Sequence, residues 1–503
     1  MPPARDIATR IRCHGLPVVG QAPWFHADTT GFLLDLARRE GDVARFRLGG
    51  SDAFLLAHPD HVKRVLVEDA DCFGKGRLMQ RARRLLGDGL LTSEGELHRT
   101  QRRRVQPAFT RAQVASYGAE APRLAARMAD RWADGATVDV SAAMDELALA
   151  IVVQALLGAD VEQEAAGLAA ELRLLARWFP ILALPGALRL ERAGLPPFRR
   201  AGLAADRIDA SVRSFIAAAG RTGAGGLLPV LLNTDAGDPM PPGLVRDEVM
   251  TLFLAGHDTT AAALTWTWYL IARHPEVAAR LEAELARVLG GRDPAPDDYP
   301  ALPYAGMVFD EVLRLYPPVG RIGKRPLADY AIDGIVIPRD AAVFVSPFVT
   351  QRDPRWWPEP ERFVPERWAA DERATRHRYA AFPFGAGPRS CVGAQMARMI
   401  GVLVIATIAR RWRMTLLPGA EPRVRSLLTL KPRRALRLRV DGRGGFSDPS
   451  SSPPAERQPR ECTAASLATI SEQDEVATTP TLRRSLALRA SSLLVLLLSG
   501  CLA

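Results

Sequence analysis

From Gly243 to His274 apolar side chains recur at helical spacing without a break, and Pro275 supplies the stop. Globular helices usually run about 8–20 residues, so this longer one sets the scale of any fold that contains it. Near its middle stands "AGHDTT", Ala255 to Thr260, with "TLFLA" before it and "AAALTW" after. An aspartate and two threonines cost helix propensity there, and buried hydroxyls compete for backbone carbonyls and bend helices. Taken alone, such residues are a solvated face or satisfied core polars. Between two apolar runs, one side of the patch has to meet a buried environment.

Helices carry most of the remaining mass. Ala112 to Ala219 is dominated by Ala, Leu and Arg at helical spacing, and further helices are expected over Glu276 to Leu289 and near Tyr304 to Leu315. "VARFRLGGSDAFLLA", Val43 to Ala57, reads as a hairpin, and "YAIDGIVIPRDAAVFVS" as short strands around the turn Asp333-Gly334. Thr350 to Pro383 has little periodicity and reads as a long ordered coil. After Cys391, "VGAQMARMIGVLVIATIARRW" is apolar on more than one face, as in a buried helix. The expected fold class is mainly α with small β-sheets, in one large domain over residues 1–440. Residues 441–503, rich in Ser, Thr, Pro and charge, are expected to be a disordered C-terminal extension. Its terminal apolar run, "SLLVLLLSGCLA", is too short to span a bilayer.

The net charge of +10 comes mainly from arginine spread along all 503 residues, with one dense run, "HRTQRRR" at His98 to Arg104. That spread fits a solvated surface better than a nucleic-acid footprint. The five cysteines are far apart and odd in number, so no disulfide framework or CxxC site is suggested, and a reducing cytoplasm fits best. The N-terminal twenty residues hold no apolar run long enough for a signal peptide or a membrane span. A cytoplasmic protein without a membrane span is expected.

Within "PFGAGPRSCVG", Pro383 to Gly393, one thiol stands just before the buried helix. The positive end of the helix dipole and its free N–H groups favour thiolate there. Gly385, Gly387 and Gly393 let backbone approach something flat or bulky, and Arg389 can pair with an anion. Together these can hold a metal macrocycle by one sulfur and by its carboxylate edge. A dinucleotide loop is excluded. Ser390 stands where the third glycine belongs, and Arg410-Arg411 replace the acidic residue expected about 20 positions on.

"FGAGPRSCVG" resembles the haem-ligand signature FxxGxRxCxG of the cytochrome P450 haem-thiolate monooxygenases at Phe384, Gly387, Arg389, Cys391 and Gly393. The resemblance runs from about Leu16 to Val440 and implies that family's single large triangular helical domain. It implies haem b with Cys391 as axial thiolate and metal ligand. "AGHDTT" is similar to the family's oxygen-binding groove, (A/G)Gx(D/E)T. Ala255 and Gly256 would line it, with Asp258 and Thr259 as the catalytic acid and alcohol pair. General acid help of this kind is typically worth about 10²–10⁴-fold.

Other landmarks follow in family order. Glu311 and Arg314 of "EVLR" would, on most helices, be a surface pair worth about 0.2–0.5 kcal/mol. The resemblance makes them a structural ExxR pair, completed by an arginine from "PEPERFVPERW". Arg367, followed by Trp368 where the family has Phe, is favoured over Arg362. His98 and Arg102 resemble a WxxxR pair that touches the haem propionates, and Arg325 a further propionate-binding arginine.

The implied function is insertion of one oxygen atom of dioxygen into a C–H bond of a hydrophobic small molecule, such as a terpenoid or fatty acid. Electrons would come from a separate ferredoxin or flavodoxin with its NAD(P)H reductase, docking near Arg398, Arg410 and Arg411. The substrate would lie among Arg77 to Asp88, Leu172 to Phe198, Phe253, Val319 to Gly323 and Leu427 to Thr429. A haem-thiolate peroxygenase, isomerase or dehydratase, and a non-catalytic haem-binding protein, are the rival readings. Nucleic acid is not an expected partner.

Overall fold

The computed structural model describes residues 15–158, 187–222, 226–232, 240–426 and 428–443. The expected extension beyond Arg443, most of the Leu172 to Phe198 segment, and Leu427 lie outside the described residues. Two compact units divide the chain. In the smaller, whose described residues are 15–22 and 47–50, Gly20 bridges both Leu16 and Leu48. The larger, Pro23–Phe46 and Ser51–Arg443, carries the site.

Two short strands, β1 (Val43–Leu48) and β2 (Ser51–Leu56), flank Gly49-Gly50 as the alternation predicts. They belong to a five-stranded sheet in the order β1-β2-β8-β5-β3, with β3 at Phe73–Lys75, β5 at Ile322–Pro326 and β8 at Ala342–Val345. The second expected strand pair is β6 (Tyr330–Ile332) against β7 (Ile335–Ile337). Asp333 (φ 49°) and Gly334 (φ 76°) make its turn, both left-handed as a two-residue hairpin turn demands. A third sheet joins β4 (Thr137–Asp139), β12 (Arg437–Gly442) and β9 (Trp412–Leu416), and a hairpin pairs β10 (Val424–Ser426) with β11 (Leu430–Pro432).

Helices supply the core. Those that build the site are α1 (Gly95–Val105), α2 (Val140–Leu157), α3 (Pro242–Arg273), α4 (Pro275–Leu289), α5 (Pro303–Leu315) and α6 (Ala394–Arg411). Proline at the first turn starts α3, α4 and α5, where its missing N–H costs nothing. Gly290 closes α4 in the left-handed conformation. Long α3 is fixed by burial. Trp266 and Trp268 are 0% and 1% exposed, and they pack with Phe309 and Val312 of α5 and Val404 and Ile405 of α6 in one apolar cluster. Thr265 and Thr267 survive there because each hydroxyl donates to the carbonyl four residues back, Ala261 and Ala263. Gly256 lets α3 sit against α2, since a Cβ would lie 2.9 Å from Val152 Cγ2. The coil after Thr350 contains short helical turns at Pro365–Trp368 and Ala370–Thr375.

Candidate active site

Cys391 lies two residues before Gly393, the N-cap of α6. Its N–H donates to Phe384 O at 2.8 Å, and Gly385 N–H to Phe382 O at 2.9 Å, which closes a tight loop. Gly387, at φ +68°, passes so near the backbone of Leu66 that a Cβ would fall 2.0 Å from its carbonyl oxygen. This glycine is therefore required by packing on a neighbouring turn, a reason the sequence did not reveal. The thiol is accessible, yet burial pushes it up, against the lowering effects of the Gly393 N–H and the charges of Arg102 and Arg398. The thiol is thus open to a ligand while protein atoms crowd around it.

Around that loop gathers a cluster of cations. Arg102 of α1 donates to Ser390 O, and Arg389 Nη1 donates to Ser93 O at 3.0 Å. Lys75 Nζ donates to the carbonyls of Leu90 and Leu91. Buried His98 is held down to about 3 by burial and by Arg389, Lys75, Arg102 and Lys324, so its imidazole is neutral. Burial and Arg389 also push Lys75 down to about 7 and Lys324 to about 8, with Glu94 opposing both. Four cationic side chains and a neutral histidine thus crowd together, with Glu94, Glu248 and Asp71 as the carboxylates whose charge reaches them, and an added anion would be favoured there. The two carboxylates of a haem fit that need, and the accessible thiol fits its iron.

Arg325 stands apart from this cluster. Lys75 pairs with Lys324 and Gly74 with Arg325 across β3 and β5, and alternation along a strand sends neighbouring side chains to opposite faces. Arg325 Nη1 donates to Asp340 Oδ1 at 3.0 Å, and its Nη2 lies 3.6 Å from Glu94 Oε2. The expectation is corrected by one residue. Lys324 faces the cluster, whereas Arg325 is occupied by carboxylates.

In α3 the accessible side differs from its surroundings. Ala255 is exposed and Gly256 and Thr259 are half-buried, while His257 and Asp258 are buried. Thr259 Oγ1 donates to Ala255 O at 2.6 Å, leaving its lone pairs to accept from water or substrate. Asp258 Oδ2 accepts from Thr429 Oγ1 at 2.6 Å, and Oδ1 is 2.7 Å from Lys431 Nζ. Lys431 in turn lies 2.9 Å from Asp145 Oδ1. Burial acts to raise the Asp258 pKa, but the charge and hydrogen bond of Lys431 and the bond from Thr429 outweigh it and hold the carboxyl below its usual range.

The structural charge cluster sits behind α6. Arg314 binds Glu311 bidentately, with Nε and Nη2 each 2.8 Å from a carboxylate oxygen, and both side chains are fully buried. Arg314 also donates to the carbonyls of Gln351, Pro360 and Arg362. Arg367 Nε is 3.5 Å from Glu311 Oε1, while Arg362 pairs with Glu359 at the surface. Arg367 is thus the side chain that reaches the pair. Trp368, noted in the sequence only as a departure, donates its indole N–H to Glu311 Oε2 at 2.9 Å. Arg376, overlooked in the sequence, stacks on Trp357 at 3.9 Å and donates to Arg367 O.

The three arginines expected to dock an electron carrier are all engaged within the chain. Arg398 binds Asp310 at 2.8 Å, Arg410 binds Asp293, and Arg411 binds Asp130 and Asp293. Among the described residues no helix is long and apolar enough to cross a membrane.

The family model "Cytochrome P450" matches residues 12–176 and 225–436. A cyclooctatin synthase from Streptomyces melanosporofaciens is 35% identical over 454 residues, covering 86% of this chain and 97% of that protein. A cyclooctat-9-en-7-ol 5-monooxygenase from the same organism is 34% identical, covering 83% and 92%. A pentalenene oxygenase from Streptomyces avermitilis is 33% identical, covering 85% and 96%. Among solved structures, a retinoic acid-bound cyanobacterial CYP120A1 superposes with a TM-score of 0.77 at 24% identity, over 85% of this chain and 98% of that one.

Proposed function

This chain belongs to the cytochrome P450 family of haem-thiolate monooxygenases, and from that premise we propose that it hydroxylates a C–H bond of a terpenoid or similarly apolar small molecule. We assign its electrons to a separate ferredoxin or flavodoxin with an NAD(P)H reductase, in the cytoplasm. Three relatives whose names describe terpenoid oxidation or synthesis support the substrate class. Haem b, held by Cys391, supplies dioxygen activation and C–H oxidation when bound. Lys75, His98, Arg102, Lys324 and Arg389 would hold its carboxylate edge.

What carries the reading is the placement of Thr259 next to Asp258 in α3. Thr259 has its hydrogen committed to Ala255 O, so its oxygen is left to accept a hydrogen bond from a water. Asp258, ionised, is 2.7 Å from Lys431, which in turn lies 2.9 Å from Asp145. Asp258, Lys431 and Asp145 would carry protons toward a bound haem along this line, with a water held at Thr259 as the last donor. A sensor or carrier has no use for such a route. The test is turnover of the haem-loaded chain with a surrogate ferredoxin and reductase, a panel of cyclic terpenes and isotopically labelled dioxygen. One labelled oxygen in the product, dependent on reduced nicotinamide cofactor, is expected. Unlabelled product, or turnover with hydrogen peroxide alone, would overturn the reading.

A further inference from the structure

Arg321 stands in "PPVGRIGK", immediately before β5, in a segment expected to line the substrate space. It differs from the buried cations that carboxylates hold, and unlike Lys75 and Lys324 it lies outside the cluster around the Cys391 loop. Arg314 is paired with Glu311, Arg352 with Glu361, and Lys431 with Asp258 and Asp145. Arg321 has no carboxylate within ion-pair distance among the described residues. Its hydrogen bond runs from Nη1 to Ser426 Oγ at 3.3 Å, and its guanidinium carbon lies 5.5 Å from the centre of the Phe25 ring. Burial alone moves its pKa, down to about 10, with no acid pulling it back. A guanidinium carries five N–H donors, and a desolvated charge without a counter-ion is costly.

The neighbours of Arg321 describe the kind of group that would meet it. Phe25 and Phe344 are 5.4 Å apart, and Phe46 lies 6.0 Å from Phe344, so one side is an aromatic wall. His26 is close enough for the charge of Arg321 to lower its pKa, along with burial. Ser426 closes β10 and pairs across the hairpin with Leu430. Three residues from Ser426 along that tip, Thr429 touches the acid Asp258. The loop carrying Arg321 is itself fixed, since Ser346 Oγ donates to Gly320 O at 2.7 Å and Leu430 N–H to Pro318 O at 2.9 Å. A preset fork of donors thus stands beside apolar walls and touches, through Ser426, the hairpin that also reaches Asp258.

We propose that Arg321 and Ser426 form a carboxylate subsite, so that the preferred substrate is an apolar acid and not a plain hydrocarbon or alcohol. This deepens the monooxygenase reading and rests on it for the location of the substrate. The carboxylate accepts two N–H bonds from Arg321 and the Ser426 hydroxyl turns to donate a third, which anchors one end of an otherwise greasy molecule.

Calorimetric titration of the holoenzyme tests it with two matched pairs, palmitic acid against cetyl alcohol and geranylgeranoic acid against geranylgeraniol. The wild-type chain is expected to bind each acid at least about tenfold more tightly than its alcohol. Arg321→Gln should abolish the difference while leaving alcohol affinity unchanged, Arg321→Lys should retain part of it, and Ser426→Ala should narrow it by a smaller factor. Equal binding of acid and alcohol by the wild type, no binding of either acid, or a preference that survives Arg321→Gln would overturn the subsite. The wild-type ratio decides even if Arg321→Gln does not fold. A carbon monoxide difference spectrum of the same sample separates the two claims. A thiolate-type spectrum without acid preference sinks the subsite alone, and an acid preference without that spectrum sinks the monooxygenase reading.

Discussion

Lys431 Nζ lies 2.7 Å from Asp258 Oδ1, so the acid of the candidate proton route is ion-paired to a strand at the far end of the chain. Both groups are displaced from their ordinary values. The Asp258 carboxyl is lowered as described above. Burial acts to lower Lys431, but Asp258 and Asp145 outweigh it and raise the amine. A lowered acid adds stability above its unfolded pKa and loses it as pH falls through the folded one. A raised amine adds stability below its unfolded pKa and loses it as pH rises through the folded one. The pair's contribution is therefore complete between about pH 4 and pH 10, the ordinary Asp and Lys values.

Lys431→Met is expected to leave Asp258 buried without its counter-charge, at a cost of about 3–5 kcal/mol measured by denaturant unfolding. The loss should shrink at low pH, where Asp258 can take a proton. Turnover should slow, with an enlarged solvent isotope effect. An unchanged isotope effect in a folded variant would remove Lys431 from the proton route.

Thr259→Ala removes the oxygen proposed to accept from a water near bound haem but leaves the rest of α3 in place. Haem content is expected to be normal, while product formed per reduced nicotinamide falls and hydrogen peroxide rises. Yield equal to the wild type would show that Thr259 plays no such part.

Lys324 and Arg325 separate by face. Lys324→Ala should weaken haem retention, seen as faster transfer of haem to an acceptor globin, because it withdraws a cation from the carboxylate edge. Arg325→Ala, whose partners are Asp340 and Glu94, should transfer haem at the wild-type rate. The reverse order would restore Arg325 to the cluster.

The two candidate arginines of the structural cluster make unequal contacts. Arg362 is exposed and bound to Glu359, so Arg362→Ala should cost about 0–1 kcal/mol. Glu311→Ala should cost about 3–5 kcal/mol, because it strands fully buried Arg314. Thermal unfolding of the two variants side by side checks the difference, and comparable losses would contradict it.

Long-range periodicity and local signatures were legible in the sequence. Helix α3 was expected from Gly243 and begins at Pro242, and the turn at Asp333-Gly334 and the loop at Cys391 appear where their residues placed them. Pairing across the sheet was not legible. Which of Lys324 and Arg325 points inward depends on the register against β3, and a strand pattern says only that one of them does. The partners of Asp258 come from a hairpin 171 residues away at Thr429, a relation that no local pattern encodes. One signal was overlooked. The chain has only four lysines, and three of them, Lys75, Lys324 and Lys431, lie at the site. Where arginine is the habitual cation, a lysine marks a place needing a compact charge on a flexible stem.

The most direct measurement is the carbon monoxide difference spectrum of the dithionite-reduced protein, taken beside Cys391→Ala. A red-shifted Soret band of the thiolate type in the wild type, absent from the variant, is expected. A histidine-type or free-haem band in freshly prepared wild-type protein, or a thiolate band that persists in Cys391→Ala, would contradict haem ligation by Cys391.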